Sequence, residues 1–436
     1  MLYGFFIDLF NYDYMKACII GAGASGIAAC KTLKENNIDF DCYEMGSDVG
    51  GLWWFENDNG QNSIYKSLCI NTSRQMMSYS DYPMPEDYPV YPHHTLIHQY
   101  FSDYVDHFGF RKNIQFKTTV THVEKRGDKY LVTTDKNGTK EYDALLVCNG
   151  HHWNPRYANF EGTFDGKVLH AHDYKTTDGF EDKEVLVIGI GNSAVDIACE
   201  LTTVAKKVWI STRSGAYIIP KYLFGVPTDH ISKPPLAYAP LALQRMALQT
   251  ALQINVGKQE KYGVPVPDRP ILTEHPTISQ DLLNKVGHGK IKIKPNIKKL
   301  NSKSVLFDDG TEETFDVLIY CTGYNMTFPF FDKDFLNPVD NEVPLYHKVV
   351  HPEYKNLFFL GLIQPLGAIM PLSEVQAKWV AALLNGKSKL PNKEKMLKTI
   401  ADNRKEMRKR YKSSARHTVQ VDFYPYKRLI ERAMKE

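Results

Sequence analysis

The sequence predicts an α/β protein built from two tandem Rossmann-like dinucleotide-binding domains. Two glycine-spaced turns, GAGASG at 21–26 and GIGNSA at 189–194, each follow an apolar strand and precede helix-forming residues. The segments DKNGTKEYDALLVCNG (135–150) and FDDGTEETFDVLIYCTG (307–323) form a second pair, because each has a turn dipeptide, an Asp, an apolar run and Cys-x-Gly. Each unit therefore begins with a glycine loop and ends about 130 residues later with a returning strand. A chain of 436 residues is long enough for two or three domains.

The composition excludes several classes of protein. The hydrophobic fraction of 43% and the charged fraction of 24% are those of a soluble globular protein. A net charge of +3, spread along the chain, gives no reason to expect nucleic acid or an anionic membrane as a partner. The seven cysteines lie far apart without a C-x-x-C pair, which indicates reduced thiols in a cytoplasmic protein.

The first fourteen residues, MLYGFFIDLFNYDY, are apolar, but they contain no basic residue and no small-residue cleavage site. A signal peptide is therefore not predicted. We interpret 1–14 as a start-site extension ahead of Met15. No apolar run approaches the roughly 18 residues of a membrane span.

The first unit contains every part of a dinucleotide-binding fingerprint. The strand Ala17–Ile20 leads into the loop, a helix follows, and a second strand, FDCYE, ends on Glu44. Gly21 suits the tight turn, Gly23 the close approach of a pyrophosphate, and Gly26 close packing of helix on strand. The helix N-terminus offers free N–H groups to phosphate, and Glu44 can accept hydrogen bonds from ribose hydroxyls. The residues assigned to this site are Gly21, Ala22, Gly23, Ala24, Ser25, Gly26 and Glu44.

The second unit repeats the plan but lacks the acid. An apolar strand at 185–188, a loop of the form G-x-G-x-x-A and a helix predicted over 193–203 follow in order. Arg213 stands near the place of the acid, where an Arg would accommodate a 2′-phosphate, so NADPH is predicted over NADH. The alternative is a surface Arg without a ligand. The residues assigned to this site are Gly189, Gly191, Asn192, Ser193, Ala194, Asp196, Ser211, Thr212 and Arg213.

The remaining stretches are less regular. Residues 71–93 are rich in Pro, Tyr, Ser and Asp and predict a long ordered loop, whereas helical spacing of apolar residues from Leu96 to Phe108 predicts a buried helix. The segment 214–290 carries many prolines and one predicted helix near Leu241–Ile254. We interpret it as an insertion in the second domain whose default role is structure or partner contact.

Between the two units lies FDGKVLHAHDY, in which Phe164, Gly166, His170 and Tyr174 have the spacing F-x-G-x-x-x-H-x-x-x-Y. In this motif the chain resembles the flavin-containing monooxygenases, which are class B flavoprotein monooxygenases, and it is identified as a soluble, bacterial-type member. The similar Baeyer–Villiger enzymes usually end the motif in Trp. Other stretches that resemble the family cover nearly the whole chain: DVGGLWW (48–54), NTSRQMMSYSDYPMPEDYP (71–89), GIGNSAVDIA (189–198), IYCTGY (319–324) and GLIQPLGAIMPLSEVQAKW (361–379).

The resemblance implies that the first loop holds FAD and the second holds NADPH. It also implies an FAD domain in two pieces, 1–165 and 325–436, with an NADP domain over 166–324 that contains the insertion. Further cofactor contacts are implied for Gly51, Leu52, Trp53, Asn71, Thr72, Val123 and Gln364.

The family's chemistry is implied in the same way. NADPH would transfer hydride to FAD, and the reduced flavin would react with O2 to give a C4a-hydroperoxide that oxygenates a tertiary amine nitrogen or a sulfide sulfur. The protein's part is to exclude water and hold hydrogen bonds, so no Ser-His-Asp set, paired carboxylates or metal cluster is expected. The adjacent pairs His93-His94 and His151-His152 lack partners at metal-ligand spacing.

Asn71 is the candidate catalytic residue, because its amide can both donate and accept a hydrogen bond. The alternative is an Asn that only caps a turn beside Thr72 and Ser73. His170 is a candidate hinge residue between the domains, with a structural His in the linker as the alternative.

The chain departs from the family at three places. It ends at KRLIERAMKE without the apolar anchor of the animal microsomal members, so a soluble protein without membrane contact is expected. Ala194 replaces a Gly that animal members often have, and Cys321 replaces an Ala. A homodimer is compatible with the sequence.

Other functions stay open. One is Baeyer–Villiger or indole oxygenation by the same intermediate, although Tyr174 argues against a protein specialised for ketones. An amino-acid N-hydroxylase shares the cofactors, but the 71–89 stretch is not its signature. A non-catalytic NADP-binding sensor would lack substrate-dependent oxidation of NADPH.

Overall fold

The computed structural model describes residues 15–411 and 418–436, so the predicted extension at 1–14 lies outside the described residues. Two five-stranded parallel sheets form the centres of two units, which confirms the predicted α/β class with two Rossmann-like domains. In spatial order the strands of the first sheet are Leu357–Phe359, Ala144–Val147, Lys16–Ile20, Asp39–Tyr43 and Ile114–Gln115. Those of the second sheet are Lys167–His170, Val317–Tyr320, Glu184–Ile188, Lys207–Ser211 and Ile291–Lys294.

The remaining strands form smaller sheets. Three strands make an antiparallel sheet beside the first unit: Val120–Arg126, Lys129–Thr134 and Gly138–Tyr142. Four make a sheet beside the second: Glu312–Thr314, Ser304–Phe307, Ile297–Ser302 and Glu161–Phe164. The two-stranded pairs are Asn154–Pro155 with Tyr324–Asn325, Ile218–Ile219 with Thr277–Ile278, Tyr222–Leu223 with Val226–Pro227, and Gln364–Leu366 with Gln420–Asp422.

Helix Ala24–Glu35 packs on the first parallel sheet, and helices Asn192–Leu201 and Leu282–Gly287 pack on the second. The α-helices are Ala24–Glu35, Arg74–Met77, His94–His107, Asn192–Leu201, Thr228–Ile231, Leu241–Asn255, Leu282–Gly287, Met370–Leu384, Lys393–Arg410 and Phe423–Ala433. The 3₁₀ helices are Gly51–Trp53, Arg111–Asn113, Leu236–Tyr238 and Gln259–Tyr262. In the described part of the chain no helix is long and apolar enough to cross a membrane.

The returning strands repeat one hydrogen-bonding frame. An Asp ahead of each returning strand accepts a bond from the backbone N–H at the start of the unit's first strand, and a Cys at its end donates to the last residue of that first strand. The repeated bonds are Lys16 N–H to Asp143 Oδ2 (2.7 Å) and Glu184 N–H to Asp316 Oδ2 (2.8 Å), with Cys148 N–H to Ile20 O and Cys321 N–H to Ile188 O (both 2.9 Å). The internal repeat predicted from the sequence is therefore confirmed down to single bonds.

The units are connected by the antiparallel ribbon of Asn154–Pro155 and Tyr324–Asn325. The strand Glu161–Phe164 lies beyond this ribbon and pairs with Lys299–Ser302 of the second unit. A division after residue 165 separates this strand from its partner. We therefore propose that the first domain boundary lies at the ribbon, while the boundary near 325 stays as predicted from the sequence.

The segment 214–290 contains the predicted helix, which spans Leu241–Asn255, and none of the residues of this helix is buried. The segment also returns to the second unit, because Thr277 Oγ1 donates to the carbonyl of Ile190 inside the second glycine loop (2.7 Å). Part of the insertion is therefore a cover over that loop.

Candidate functional site

The first glycine loop has the geometry of a phosphate cradle. Gly21 has a φ of +98°, and a Cβ atom there would lie 2.7 Å from the carbonyl oxygen of Cys148. A Cβ on Gly26 would lie 1.8 Å from the carbonyl oxygen of Gly21, so helix and strand meet at a distance that only glycine permits. The helix Ala24–Glu35 begins without a side-chain cap and without an acidic residue in its first turn. Its N-terminal N–H groups are thus available to a phosphate, which fits FAD.

Glu44 lies beside this loop and is buried. Its Oε2 accepts from the N–H of Ala22 (2.7 Å) and its Oε1 from the N–H of Gly46 (2.8 Å). Burial raises the pKa of Glu44, although the backbone donors act in the opposite direction. Each carboxylate oxygen can accept a second bond, so the predicted ribose contact of Glu44 is compatible with this geometry and stays a prediction.

The turn that carries Gly51, Leu52 and Trp53 packs directly on the loop. The N–H of Gly50 donates to the carbonyl of Ala22 (3.2 Å), and a Cβ on Gly23 would lie 3.5 Å from Gly51 Cα. The structure therefore brings these two predicted cofactor segments together.

Two other predicted FAD contacts differ in their surroundings. The N–H of Gln364 donates to the carbonyl of Val419 (2.8 Å), and Ser373 of the same returning segment places its hydroxyl 2.9 Å from that of Ser25 in the first loop. Val123 is buried in the core, and its N–H donates to the carbonyl of Phe330 (2.8 Å). These contacts of Val123 are structural, and its contact with FAD stays a prediction.

The second loop repeats the cradle. Gly189 has a φ of +122°, and a Cβ there would lie 2.7 Å from the carbonyl oxygen of Cys321. The helix Asn192–Leu201 follows Gly191 without a side-chain cap or an acid in its first turn. Asn192 is engaged by the insertion, since its Oδ1 accepts from the N–H of Ile278 (2.8 Å).

The other predicted residues of the second loop differ in exposure. Ser193 is exposed and Ala194 is fully buried. Ser193 is therefore open to a ligand, whereas Ala194 serves the packing of the helix.

The end of the next strand opens into a cavity of about 860 Å³, and this volume is ample for part of a nucleotide. Ser211 and Thr212 are both buried and occupied, the first donating to the carbonyl of Pro295 (2.7 Å) and the second accepting from the N–H of Gly215 (3.0 Å). Arg213 is exposed and lines the cavity. Of the three residues, Arg213 is therefore the one placed to reach a 2′-phosphate.

Asn71 is half-buried, and its amide oxygen is fully buried without a hydrogen-bond partner. The neighbouring Thr72 is half-buried, and Ser73 donates its N–H to Asp229 Oδ2 of the insertion (2.7 Å). A turn-capping Asn would accept a bond through this oxygen, so the capping alternative lacks its bond. An orphaned buried acceptor fits a site that a bound cofactor completes.

Two tyrosines place the Asn71 segment between the two glycine loops. The hydroxyl of Tyr65 donates to Asp196 Oδ2 in the helix after the second loop (2.8 Å). The hydroxyl of Tyr79 donates to the carbonyl of Ala24 at the start of the helix after the first loop (2.6 Å). Asn71 therefore lies in the stretch of chain that connects both nucleotide sites.

Asp196, assigned from the sequence to the NADP site, has Tyr65 as its partner in the structure. Burial raises the pKa of the Asp196 carboxyl to about 6, while the Tyr65 hydroxyl and the charge of Lys221 act in the opposite direction. Its described contact is therefore with the chain itself, and a contact with NADPH stays a prediction.

His170 is buried next to the ribbon that connects the units. Its ring centroid lies 5.2 Å from that of Tyr324 in the ribbon and 5.4 Å from that of Tyr157. Burial lowers the pKa of His170 to about 4, and this favours a neutral ring at physiological pH. The position suits the predicted hinge. Among residues 15–411 and 418–436, no group of His, Cys, Asp and Glu side chains could hold a metal ion.

Sequence reasoning missed the residues that hold the Asn71 segment, which are Tyr65, Tyr79, Lys221 and Asp229. Lys221 Nζ lies 3.4 Å from the carbonyl oxygen of Ile70, next to Asn71. These contacts join positions more than fifty residues apart, such as Tyr79 and Ala24 or Lys221 and Ile70. No local motif marks such pairs, and the only signal was the polar, tyrosine-rich composition of the segment.

Comparisons with known proteins agree with this geometry. The model of the flavin-binding monooxygenase-like family matches residues 14–434. Flavin-containing monooxygenase 5 of Cavia porcellus is 39% identical over 433 residues, which cover 94% of this chain and 80% of that protein. Dimethylaniline monooxygenase [N-oxide-forming] 2 of Oryctolagus cuniculus is 36% identical over 433 residues, 94% of this chain and 81% of that protein. The solved structure of S-allyl-L-cysteine S-oxygenase from Allium sativum has a TM-score of 0.73 at 26% identity and covers 96% of this chain and 88% of that one.

Proposed function

The chain belongs to the flavin-binding monooxygenase-like family and is an FAD- and NADPH-dependent monooxygenase, and from that premise we propose that it oxygenates a soft nucleophile, either a tertiary amine nitrogen or a sulfide sulfur. The observation that carries the proposal is the orphaned amide oxygen of Asn71, in a segment bonded to the helices of both glycine loops. The oxygen-activating route that the sequence resemblance implies is part of this proposal.

The residues of the two loops have separate tasks. FAD, when bound, supplies the redox chemistry, by accepting hydride from NADPH and passing one atom of O2 to the substrate. The glycines of the first loop and the uncapped helix N-terminus would hold its pyrophosphate, and Glu44 its ribose. The equivalent parts of the second unit, with Arg213, would hold NADPH. Ser373 and the Gly51 turn pack against the first loop.

Asn71 is proposed as the residue that holds the reacting groups. Its amide carries two N–H donors and one carbonyl acceptor, and the acceptor is free in the folded chain. Amine and sulfide substrates bring their own lone pair, so the enzyme does not have to remove a proton to activate them. The requirement on the chain is a polar, water-poor pocket, and the buried amide oxygen of Asn71 supports this assignment.

The names of the relatives support nitrogen and sulfur as targets. The similar protein from rabbit is named for N-oxide formation, and the similar structure from garlic is that of an S-oxygenase. A tertiary amine or thioether is therefore proposed as the substrate of this chain. Ketones and indole stay the alternatives that a substrate panel would reveal.

The test is Asn71→Leu, because Leu is similar in size and removes both polar atoms. We expect the variant to bind FAD and oxidise NADPH while its yield of oxygenated trimethylamine or thioether falls at least about tenfold, in line with a loss of roughly 1–3 kcal/mol for a buried hydrogen bond. Hydrogen peroxide should rise in proportion. The measurement is peroxide and product per NADPH consumed, together with a melting curve.

Asn36→Leu is the matched control, because the amide of Asn36 caps the first helix by donating to the carbonyl of Thr32 (2.9 Å). We expect this control to lower the melting temperature and to leave the yield of product unchanged. If Asn71→Leu behaved like Asn36→Leu, Asn71 would be a structural residue. If the unaltered protein gave no substrate-dependent oxidation of NADPH, the proposed activity would be wrong.

A further inference from the structure

Residues 62–73 precede the ribbon, the sequence assigned them to the first domain, and they contact both units. On the first unit, the N–H of Ile70 donates to the carbonyl of Pro92 (3.0 Å), and the ring of His94 contacts the carbonyl of Lys66 (3.0 Å). Lys175 donates its Nζ to the carbonyls of Asn62 (2.6 Å) and Ile64 (3.3 Å). The N–H of Lys66 donates to the carbonyl of Lys175 (2.8 Å). The Tyr65 side chain is buried in the hydrophobic core of the second unit. This segment, called the docked segment below, is therefore bound through Tyr65 to the unit assigned to NADPH, while Lys66 and Ile70 also contact the first unit.

The Tyr65–Asp196 hydrogen bond lies inside this docked region, and Asp196 belongs to the helix whose N-terminus faces the second glycine loop. Five residues of chain separate Tyr65 from Asn71. On either side of Asn71, Lys221 bonds the carbonyl of Ile70 (3.4 Å) and Asp229 the N–H of Ser73 (2.7 Å). The insertion of the second unit therefore anchors the chain on both sides of Asn71, in addition to the bond from the N–H of Ile70 to the carbonyl of Pro92 in the first unit.

We propose that the Tyr65–Asp196 pair is a latch between the two units, and that Tyr65 and Asp196 are positioning residues for Asn71. The latch fixes one end of the segment to the helix Asn192–Leu201, so that the amide of Asn71 is held in one place relative to both cofactor sites. This inference rests on the proposed function, because it assigns a consequence for oxygen transfer to the position of Asn71. In this proposal Asp196 acts on Asn71 through the segment, by accepting the bond from Tyr65.

The surroundings of the pair explain why a hydroxyl and a carboxylate are required. Tyr65 is buried, so an unbonded hydroxyl there would leave a polar group without a partner. The titratable and charged groups near Asp196 come from several elements. They are Tyr65 of the docked segment, Lys221 of the insertion, Asp281 ahead of the next helix, and Cys199 and Glu200 of the same helix. A charged acceptor makes a stronger bond to a hydroxyl than a neutral one does.

The chain offers a matched control one helical turn away. The hydroxyl of Tyr174 donates to Glu200 Oε2 (2.8 Å), and its ring centroid lies 5.9 Å from that of Tyr65. Both tyrosines are buried, and both donate to an acid of the helix Asn192–Leu201. Tyr174, however, belongs to the second unit itself. Tyr65→Phe therefore removes a bond between the docked segment and the helix, and Tyr174→Phe removes a similar bond within one unit.

The first measurement is hydrogen exchange by mass spectrometry, which needs no turnover. In the FAD-bound protein without NADPH, we expect Tyr65→Phe to speed exchange of the amides of 66–73 by about tenfold, as for a lost hydrogen bond to a charged group. We expect Tyr174→Phe to leave exchange in 66–73 unchanged. Equal exchange of this stretch in the two variants would overturn the latch.

The second measurement is the fraction of consumed NADPH that appears as hydrogen peroxide, with trimethylamine as the substrate. We expect this fraction to rise severalfold in Tyr65→Phe and to stay at the value of the unaltered protein in Tyr174→Phe, even where the two variants melt at the same temperature. An equal fraction in both variants would overturn the positioning role. If the unaltered protein did not oxidise NADPH with any amine or sulfide, the proposed function would fail, while the exchange measurement would still decide the latch.

The third measurement is the pH dependence of the peroxide fraction. Protonation of Asp196 weakens the acceptor, so in the unaltered protein the fraction should rise as the pH falls from 8 through about 6. In Tyr65→Phe, which has no hydroxyl to donate, the fraction should be high at both ends of this range. The same pH dependence in both proteins would overturn the latch.

Discussion

The two glycine loops of this protein share the same backbone geometry and differ in two pairs of side chains and in one insertion. In each unit a glycine with positive φ lies against the carbonyl of a Cys, and an added Cβ would be 2.7 Å from that carbonyl oxygen. In each unit an Asp also accepts a hydrogen bond from the backbone N–H at the start of the central strand. The units differ at Gly26 and Ala194, in Glu44 as against Arg213, and in the insertion that covers only the second loop. We propose that the shared backbone geometry lets each unit bind a dinucleotide and that the three differences select which one.

The largest expected effect comes from exchanging Gly26 and Ala194, the last residues of the two glycine motifs. Gly26→Ala places a Cβ 1.8 Å from the carbonyl oxygen of Gly21, so the helix has to move away from the strand and the phosphate cradle opens. We expect purified Gly26→Ala to retain less than about a tenth of its FAD, since a shift of roughly 1–3 kcal/mol in the cradle suffices for this. The measurement is the ratio of flavin to protein absorbance.

The reciprocal change is the control. Ala194→Gly adds no clash in the second loop and costs only about 1 kcal/mol of helix propensity. We expect it to keep its FAD and to melt at a slightly lower temperature. Full flavin content in Gly26→Ala would mean that the first helix can shift without loss, and the two loops would then differ less than their sequences suggest.

Sequence reasoning worked where the physical constraint is local. The helices after both loops begin where the glycine spacing places them, because positive φ and close helix–strand packing restrict single positions to glycine. The Asn-Gly and Asp-Gly pairs lie at hairpins, as their turn chemistry predicts. Arg213 is exposed and lies on the cavity wall, and its contact with a 2′-phosphate stays a prediction.

Other features depend on contacts that no local pattern reports. The strand Glu161–Phe164 belongs to the second unit because its partner is Lys299–Ser302, far along the chain. Asp196 lies in the helix after the second glycine loop, but its hydrogen-bond partner is Tyr65, which precedes the ribbon in the chain. The geometry of the glycine loops was therefore predictable from the sequence, whereas the residues that hold Asn71 were not.

The second prediction sharpens the contrast between Glu44 and Arg213. Arg213→Ala should raise the KM for NADPH by about 10- to 100-fold and change the KM for NADH little, because a charged hydrogen bond contributes roughly 1.5–3 kcal/mol and NADH has no 2′-phosphate. The measurement is steady-state oxidation of each nucleotide.

Arg269 lines the same cavity and is paired with Asp268 (3.9 Å), so Arg269→Ala is the control and should change both KM values little. A larger effect of Arg269→Ala than of Arg213→Ala on the KM for NADPH would assign the phosphate contact to Arg269. Equal effects of Arg213→Ala on both nucleotides would remove Arg213 from phosphate recognition.

The third prediction concerns the partly buried carboxyl group of Asp196 in the second unit. Burial raises the pKa of Asp196 to about 6, above the roughly 3.9 of an unfolded Asp, so the folded protein binds a proton where the unfolded chain does not. The contribution of Asp196 to the free energy of unfolding therefore falls as the pH rises from about 4 to about 6. Asp196→Asn cannot ionise and should gain stability relative to the unaltered protein across this window. Melting curves at pH 4.5 and pH 7 check it, and a constant difference between the two proteins would contradict it.

The smallest expected effect tests whether the repeated frame is energetically equal in the two units. Asp143 and Asp316 each accept the N–H at the start of a central strand, at 2.7 and 2.8 Å. Asp143→Ala and Asp316→Ala should each lower the free energy of unfolding by about 1–2 kcal/mol, because each leaves one backbone donor with a weaker partner. Asp143 also pairs with Lys129, but both side chains are partly exposed, and such a pair adds at most about 1 kcal/mol. Denaturant titrations of the two variants should therefore shift nearly alike, with Asp143→Ala slightly the larger. A large shift for one and none for the other would show that one unit unfolds first and alone determines the measured stability.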